Sequence, residues 1–420
     1  MNHTMAVMDG ASLDMPRIAA VGSALRELVS ELDTIFPERT RLLNQIMYAL
    51  LTRHHVQMFG EYGTGKTDLM NSLFGGIAGA RLLSVQMSKF MNESHVFGLP
   101  NTRVMQEQGV IRFSNDADSI FKCQFLSLDE YLDAPEPLLR TLLGILNERV
   151  FKRGRQVENC DLHTALVATN CDPWEEIRKN QKLGAVLDRI LFWSHVNYLT
   201  TSEARIRMYQ KFAAGQVPST KIAYGDLKYV SDIVLSANQI TDPEFFVVYD
   251  QVIEDFCKGR KGQDKNFVIS DRRKCKLLQV VEANALLYGR YDVDYEDILA
   301  AQWGICLESD PAELVRFEAV AKPIIQEAKK KKGQNLDEVQ IALIKEYQAQ
   351  IPKVPRGIEA GALVDLARTL LDLRKRVEGV RPQLPSTEAA KNEVLEKIGK
   401  KQARVQKLIQ DPLSVPDQGD

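Results

Sequence analysis

Val56-Gln57-Met58-Phe59-Gly60-Glu61-Tyr62-Gly63-Thr64-Gly65-Lys66-Thr67 is a short apolar run that breaks into a glycine-rich turn and continues as a helical pattern. Its last eight residues are a glycine, four variable positions and then Gly-Lys-Thr, a pattern with a mechanism when it lies between a strand and a helix. Across Gly60, Gly63, Thr64 and Gly65 the backbone N–H groups can curl round a phosphate chain, and the positive end of the following helix favours the anion. Lys66 would reach the β and γ oxygens, and the Thr67 hydroxyl would ligate magnesium. An eight-residue match can also be a plain glycine turn; the flanking strand and helix weigh against that reading.

Upstream, Val21, Leu25, Leu28 and Leu32 recur at helical spacing, so the fold is expected to start near Arg17 after a disordered leader over residues 1–16. A second helix is expected from Glu38 to Thr52. Downstream, Leu82 to Gln86, Cys123 to Leu128, Leu162 to Ala168 and Phe192 to Leu199 are short apolar stretches separated by helical or turn-rich sequence. That alternation predicts an α/β P-loop core over residues 17–200 with a mainly parallel sheet. Ser88 to Asp118 is too long for a plain connection, and Gly98-Leu99-Pro100 with Gly109-Val110-Ile111-Arg112-Phe113 suggests an inserted hairpin or loop.

Beyond Thr200 the strand pattern fades into helices, among them Asp271 to Arg290 and Tyr295 to Leu307, which predicts a second, all-α domain over residues 201–310. A charged helical region follows over residues 311–420, with a break at Lys329-Lys330-Lys331-Lys332-Gly333 and a hinge at Pro352 and Pro355. Leu363, Leu366, Leu370, Leu373 and Val377, then Val394, Ile398, Val405 and Leu408, flank the turn Pro382-Gln383-Leu384-Pro385. They predict a helical hairpin over residues 358–410, before a disordered tail after Pro412. Its stripe reads first as an ordinary packed helix pair and second as a partner site.

Phe125-Leu126-Ser127-Leu128-Asp129-Glu130 is a strand that ends in two carboxylates, placed where a neighbouring strand would deliver them to the phosphates. Asp129 would hold the magnesium ion, and Glu130 would orient and polarise the attacking water. Adjacent carboxylates at a strand end can also be solvated surface. The following strand closes on Ala168-Thr169-Asn170, where Asn170 could sense the γ-phosphate or act as a turn former. Arg189 precedes the last strand and could face a neighbour's phosphates, whereas Arg272 opens a lid helix that could fold over bound nucleotide. A surface salt bridge is the alternative for each.

Acidic and basic residues nearly cancel, 56 against 54. No global field would hold a polyanion, which counts against nucleic acid as a partner. Cys123, Cys160, Cys171, Cys257, Cys275 and Cys306 show no C-x-x-C spacing and read as buried reduced thiols. No stretch approaches the ~18 apolar residues of a membrane span, and no basic segment precedes an apolar run at the start, so a cytoplasmic protein is expected.

Taken in order, these pieces resemble an AAA+ ATPase over about residues 20–310, and within that superfamily the MoxR group, especially its RavA-like branch. The resemblance is carried by Leu126-Ser-Leu-Asp-Glu-Tyr-Leu-Asp-Ala-Pro-Glu-Pro-Leu-Leu-Arg-Thr-Leu-Leu-Gly-Ile-Leu-Asn-Glu-Arg149, Ser88-Lys-Phe-Met-Asn-Glu-Ser-His-Val-Phe-Gly98 and Ser270-Asp-Arg-Arg273. It implies ATP and Mg2+ as cofactors, Asn170 as sensor one, with Thr169 the neighbouring alternative, and Arg189 as a finger acting in trans. Arg272 would be sensor two, and Arg273 could substitute for it. It also implies an insert around 88–118 and a hairpin around 149–162 that face the pore of a hexamer.

By the same resemblance the protein would be a chaperone-like remodeller of a protein client, working with a von Willebrand factor type A domain protein. The region after Pro311 shows no β-rich domain of the kind the RavA-like branch carries, which weakens partner inferences drawn from that branch. A nucleotide-gated assembly scaffold with slow hydrolysis and a DNA-acting AAA+ motor are the alternative functions.

Overall fold

The apolar run before the glycine turn is a fully buried strand with a parallel partner on each side, so its two faces and both edges are covered. The computed structural model describes residues 13–109, 112–113, 119–153, 156–172, 188–236, 239–260, 269–306, 311–354, 360–381 and 385–410. In chain order the strands are β1 (Val56–Phe59), β2 (Ile77–Ala78), β3 (Leu82–Gln86), β4 (Phe125–Asp129), β5 (Val150–Arg153), β6 (Gln156–Asn159), β7 (Thr164–Thr169), β8 (Phe192–His195) and β9 (Ile222–Ala223). The helices used below are α1 (Met15–Ile35), α2 (Thr40–Thr52), α3 (Lys66–Gly75), α4 (Glu93–Phe97), α5 (Thr102–Gln108), α6 (Glu136–Glu148), α7 (Ser202–Ala214), α8 (Tyr224–Ser236), α9 (Pro243–Arg260), α10 (Asp271–Leu287), α11 (Gln302–Ile305), α12 (Pro311–Ala349), α13 (Ala360–Glu378) and α14 (Pro385–Gln410).

Five strands form one parallel sheet in the order β3-β4-β7-β1-β8. Parallel pairing needs crossover connections, and α3 and α6 are among the crossover helices. The inner strands read as unbroken apolar runs because both faces are covered: β1 and all six residues of β7 are buried, whereas the edge strand β3 alternates. Fold class is therefore the expected α/β core, followed by helices α8 to α11.

Local chemistry adjusts the expected boundaries. Helix α1 starts at Met15, because Asp14 accepts from the Arg17 backbone N–H at 3.0 Å and Pro16 sits in the first turn. The helix expected from Tyr295 divides into a 3₁₀ turn, Tyr295–Ala301, and the short α11, and its expected end at Leu307 lies outside the described residues. Among the described residues of the insert, α4 and α5 are helical, and an antiparallel bridge pairs Pro100 with Phe113. The break expected at Lys329-Gly333 is absent. There α12 runs on, since one glycine costs a helix only ~1 kcal/mol, lysine favours it, and Lys331 pairs with Glu327 at 2.8 Å.

The chain divides into two compact units, residues 1–324 and 325–420, with the division inside α12. Within the second, α13 and α14 pack antiparallel: Arg374 donates to Gln402 Oε1 at 3.2 Å, and Lys391 to the Val380 carbonyl at 2.7 Å, nearer the turn. Leu370, Leu373, Val377, Ile398 and Val405 are buried in its seam, together with Ile344 of α12. The expected leader over residues 1–12, residues 110–111 and 114–118 of the insert, Pro355, the turn residues 382–384 and the tail from 411 lie outside the described residues.

All six cysteines are free, but only Cys123, Cys160 and Cys306 are buried; Cys275 is exposed. Burial pushes the Cys123 and Cys160 thiols up to about 12. Among the described residues no helix is long and apolar enough to cross a membrane.

Candidate nucleotide site

Three neighbouring strands, β4, β7 and β1, deliver their last residues to one edge of the sheet. Gly60 follows β1 and its N–H donates to the Thr169 carbonyl at 3.2 Å, which brings the start of the turn against the end of β7. Gly60 has φ +140°, and a Cβ there would run into the Val196 carbonyl oxygen. Gly63 and Gly65, at φ +71° and +80°, have open space around them; what they need is the left-handed backbone itself.

Lys66 is 7% exposed. Its ammonium donates to the carbonyls of Gly60 at 2.8 Å and Glu61 at 2.9 Å, to Asn170 Oδ1 at 3.1 Å and to Thr64 Oγ1 at 3.4 Å. Burial lowers its pKa, against the opposing pull of Asp129. Thr67 is exposed, and its hydroxyl donates to Asp129 Oδ2 at 2.9 Å. The other Asp129 oxygen accepts the Glu130 N–H at 3.0 Å. Glu130 has φ +53°, a left-handed conformation that costs a side-chain-bearing residue ~1–2 kcal/mol, and it turns the chain out of β4. Gln86 Nε2, at the end of β3, is 3.5 Å from Glu130 Oε2.

These contacts bring Lys66, Thr67, Asp129, Glu130 and Asn170 together. Between Thr169 and Asn170, it is Asn170 whose amide meets Lys66. Thr169 is buried and its hydroxyl accepts the Cys171 N–H at 3.3 Å.

Arg189 and Arg272 are not brought to this edge. In the β1/β8 register Phe192 lies beside Val56 and His195 beside Phe59, so the residues before Phe192 lie at the opposite edge. The Asp188–Leu191 segment and the first turn of α10 meet there, with the length of β8, about 10 Å of strand, between them and the end that carries the glycine turn. The expectation that Arg272 folds over the nucleotide of its own chain is not met in this arrangement. Arg273 cannot replace it. Arg273 is 3% exposed, with its guanidinium spent on the carbonyls of Gly304, Ile190 and Leu191, whereas Arg272 is exposed.

Sequence patterns had not flagged a cavity of about 350 Å³ beside the turn. Ile35, Phe36 and Pro37 line one side, Tyr198, Met208 and Phe212 the other, and Gly63 to Gly65 open into it. Arg39 braces its floor, donating to the Asn197 carbonyl at 2.6 Å. Lys211 pairs with Asp68 and sits 4.0 Å over the Phe36 ring. Two carboxylates hold the chain on either side of α7. Glu38 accepts from the backbone and hydroxyls of Thr200 and Thr201 at 2.8–3.0 Å, and Glu31 does the same for Ser219 and Thr220 at 2.5–3.1 Å. These contacts span long sequence separations, which no periodicity announces.

The insert and the β5–β6 hairpin share one aromatic cluster. Phe151 of the hairpin packs against Phe97 and Phe113 of the insert, with centroids 4.9 and 5.9 Å away. The Gln156 amide bonds both the N–H and the carbonyl of Phe113, at 2.9 and 3.2 Å. Phe90 and Leu99 of the insert and Val157 of the hairpin are left exposed.

Residues 23–223 match the family profile described as the MoxR domain in the MoxR-vWA-beta-propeller ternary systems, and residues 249–316 match an AAA lid domain. The chain belongs to the MoxR family of AAA+ ATPases. This MoxR-family chain is 25% identical over 275 residues to an uncharacterized protein of Methanocaldococcus jannaschii, covering 65% of the chain and 68% of the relative. It is 23% identical over 291 residues to Chaperone MoxR1 of Mycobacterium tuberculosis, covering 67% of the chain and 74% of the relative. A crystal structure assigned as an ATPase, from Cytophaga hutchinsonii, shares the fold with a TM-score of 0.54 at 16% identity, covering 74% of this chain and 96% of that one. Membership in the MoxR family makes the chain a nucleotide-binding ATPase of AAA+ fold.

Proposed function

We propose that this MoxR-family ATPase is a magnesium-dependent, ring-forming motor that couples ATP hydrolysis to remodelling of a protein client. One observation carries the reading: the Lys66 ammonium meets Asn170 while the Thr67 hydroxyl meets Asp129, so four polar groups from the first turn of α3 and the ends of two strands converge on one edge. Among the described residues no three His, Cys, Asp or Glu side chains could hold an ion unaided. A hydroxyl and a carboxylate are the hard oxygen donors that suit Mg2+, which keeps waters and phosphate oxygens as its other ligands. Thr67 and Asp129 would hold it, and the bound ion would neutralise charge on the phosphates.

The chain's own groups then divide the work. Backbone N–H groups of Gly60 to Gly65 bind the phosphates, and the Lys66 ammonium exchanges its loop carbonyls for β and γ oxygens. Glu130 orients the attacking water and Asn170 senses the terminal phosphate. The apolar cavity between Phe36 and Met208 suits a nucleobase stacked over the glycine turn. Arg189 and Arg272, at the far edge of the sheet, would serve the site of a neighbouring copy, which favours a homo-hexameric ring acting in the cytoplasm. The exposed Phe90, Leu99 and Val157 would face the client in its pore. A von Willebrand factor type A domain protein is the partner, in keeping with the system named in the matching profile.

Mixing tests this directly. Lys66→Ala and Arg189→Ala chains should each be inactive, yet regain ATPase activity together, because a mixed ring contains intact interfaces. Mixtures as inactive as their parents would rule out a finger acting across the interface.

A further inference from the structure

The first turns of α10 hold all four residues of the segment that carries Arg189. Ser270 Oγ donates to Asp188 Oδ1 at 2.8 Å, and Lys276 Nζ to the Arg189 carbonyl at 3.2 Å. The Arg273 guanidinium donates to the carbonyl of Ile190 at 3.3 Å and to that of Leu191. Its Nε donates to the Gly304 carbonyl at 3.2 Å, which fixes the planar fork on three backbone oxygens of two separate segments. Arg273 and Lys276 are three positions apart on one helix, so they share a face. The lid helix thus grips Asp188–Leu191 residue by residue.

We infer that Arg273 and Lys276 are positioning residues for Arg189, locking the finger segment to the lid helix so that α10 and Arg189 move as one body. The inference rests on the proposal that Arg189 acts on a neighbour's nucleotide. A group supplied across an interface has little tolerance for error, since a misplacement of 1 Å can cost ~10²-fold in rate. Four consecutive residues tied to one helix remove the freedom that a connecting segment otherwise has. Displacement of the lid, by a partner or by nucleotide, would then relocate Arg189 at the next site in the ring.

Lys276→Met removes the donor and keeps the apolar stem. In the assembled full-length protein it should lower kcat about 10-fold and leave nucleotide affinity unchanged, because the P-loop lies at the opposite edge. In an Arg189→Ala background the same change should lower kcat no further. Arg273→Lys, which keeps the charge but not the fork, should behave alike, and Ser270→Ala serves the same comparison if either variant fails to fold. Wild-type turnover by Arg189→Ala alone would overturn the finger reading. If instead Arg189→Ala is impaired and Lys276→Met costs the same factor in both backgrounds, or nothing in either, the finger stands and the positioning inference falls. Weaker nucleotide binding by Lys276→Met would also overturn it.

Discussion

Lys66 and Arg273 are both nearly buried, 7% and 3% exposed, and both direct their N–H groups at backbone carbonyls. They occupy opposite edges of one sheet. Lys66 rests on its own loop and on Asn170, beside an exposed Thr67, and its ammonium is a compact charge on a flexible stem that can turn toward an arriving phosphate. The Arg273 fork is held by three oxygens with no open side, and burial brings its pKa down to about 10. Burial alone does not distinguish the proposed binding cation from the structural one; the freedom of the charged group to leave its carbonyls does.

The largest expected effects would break that contrast if they failed. Lys66→Ala should abolish nucleotide binding by calorimetry with magnesium present while shifting the melting temperature little. Glu130→Gln should keep binding and lower turnover by about 10²–10⁴-fold; normal turnover would remove Glu130 from its water-orienting role. Arg273→Ala should do the reverse of Lys66→Ala, costing about 3 kcal/mol of stability by urea denaturation as buried carbonyls lose their donor.

A smaller effect separates the glycines of the turn. Gly60→Ala meets the Val196 carbonyl and should disrupt the loop, whereas Gly63→Ala has open space and should cost only the left-handed backbone penalty of ~1–2 kcal/mol. Equal losses would show that crowding by β8 is not what reserves position 60 for glycine.

The mildest test is acid. Hydrogen bonds from Ser219 and Thr220 hold the Glu31 carboxyl at about 2, and those from Thr200 and Thr201 hold Glu38 at about 2, below the ordinary 4.5. A depressed folded pKa means the contribution is complete above 4.5 and disappears as pH falls toward 2. Wild type should therefore lose urea resistance over that window, and the Glu31→Gln and Glu38→Gln variants should lose less of theirs.

The α/β core was legible because Val56 to Phe59 runs straight into its glycine turn, and because short apolar stretches recur at the spacing of crossover units. The convergence of Lys66 with Asp129 and Asn170 follows from that same layering. What local pattern could not carry was contact across distance. Arg272 and Arg273 are adjacent and alike in sequence, and only packing against Gly304 and Leu191 tells the buried one from the exposed one. Likewise Phe36 and Phe212 wall one cavity from segments far apart in the chain. The lysine run ending at Gly333 looked like a break, yet helix propensity and the Glu327 pair carried α12 through it.

Glu38 and Glu31 pin the chain before and after α7, the helix that forms one wall of the cavity beside the glycine turn. A wall fastened at both ends does not swing, so if the cavity takes the nucleobase as proposed, its traffic would fall to the smallest movable part, Lys211 latched to Asp68 across the face of Phe36. That latch is a partly exposed ion pair and weakens in salt. Moderate salt should therefore quicken nucleotide exchange well before it loosens the fold.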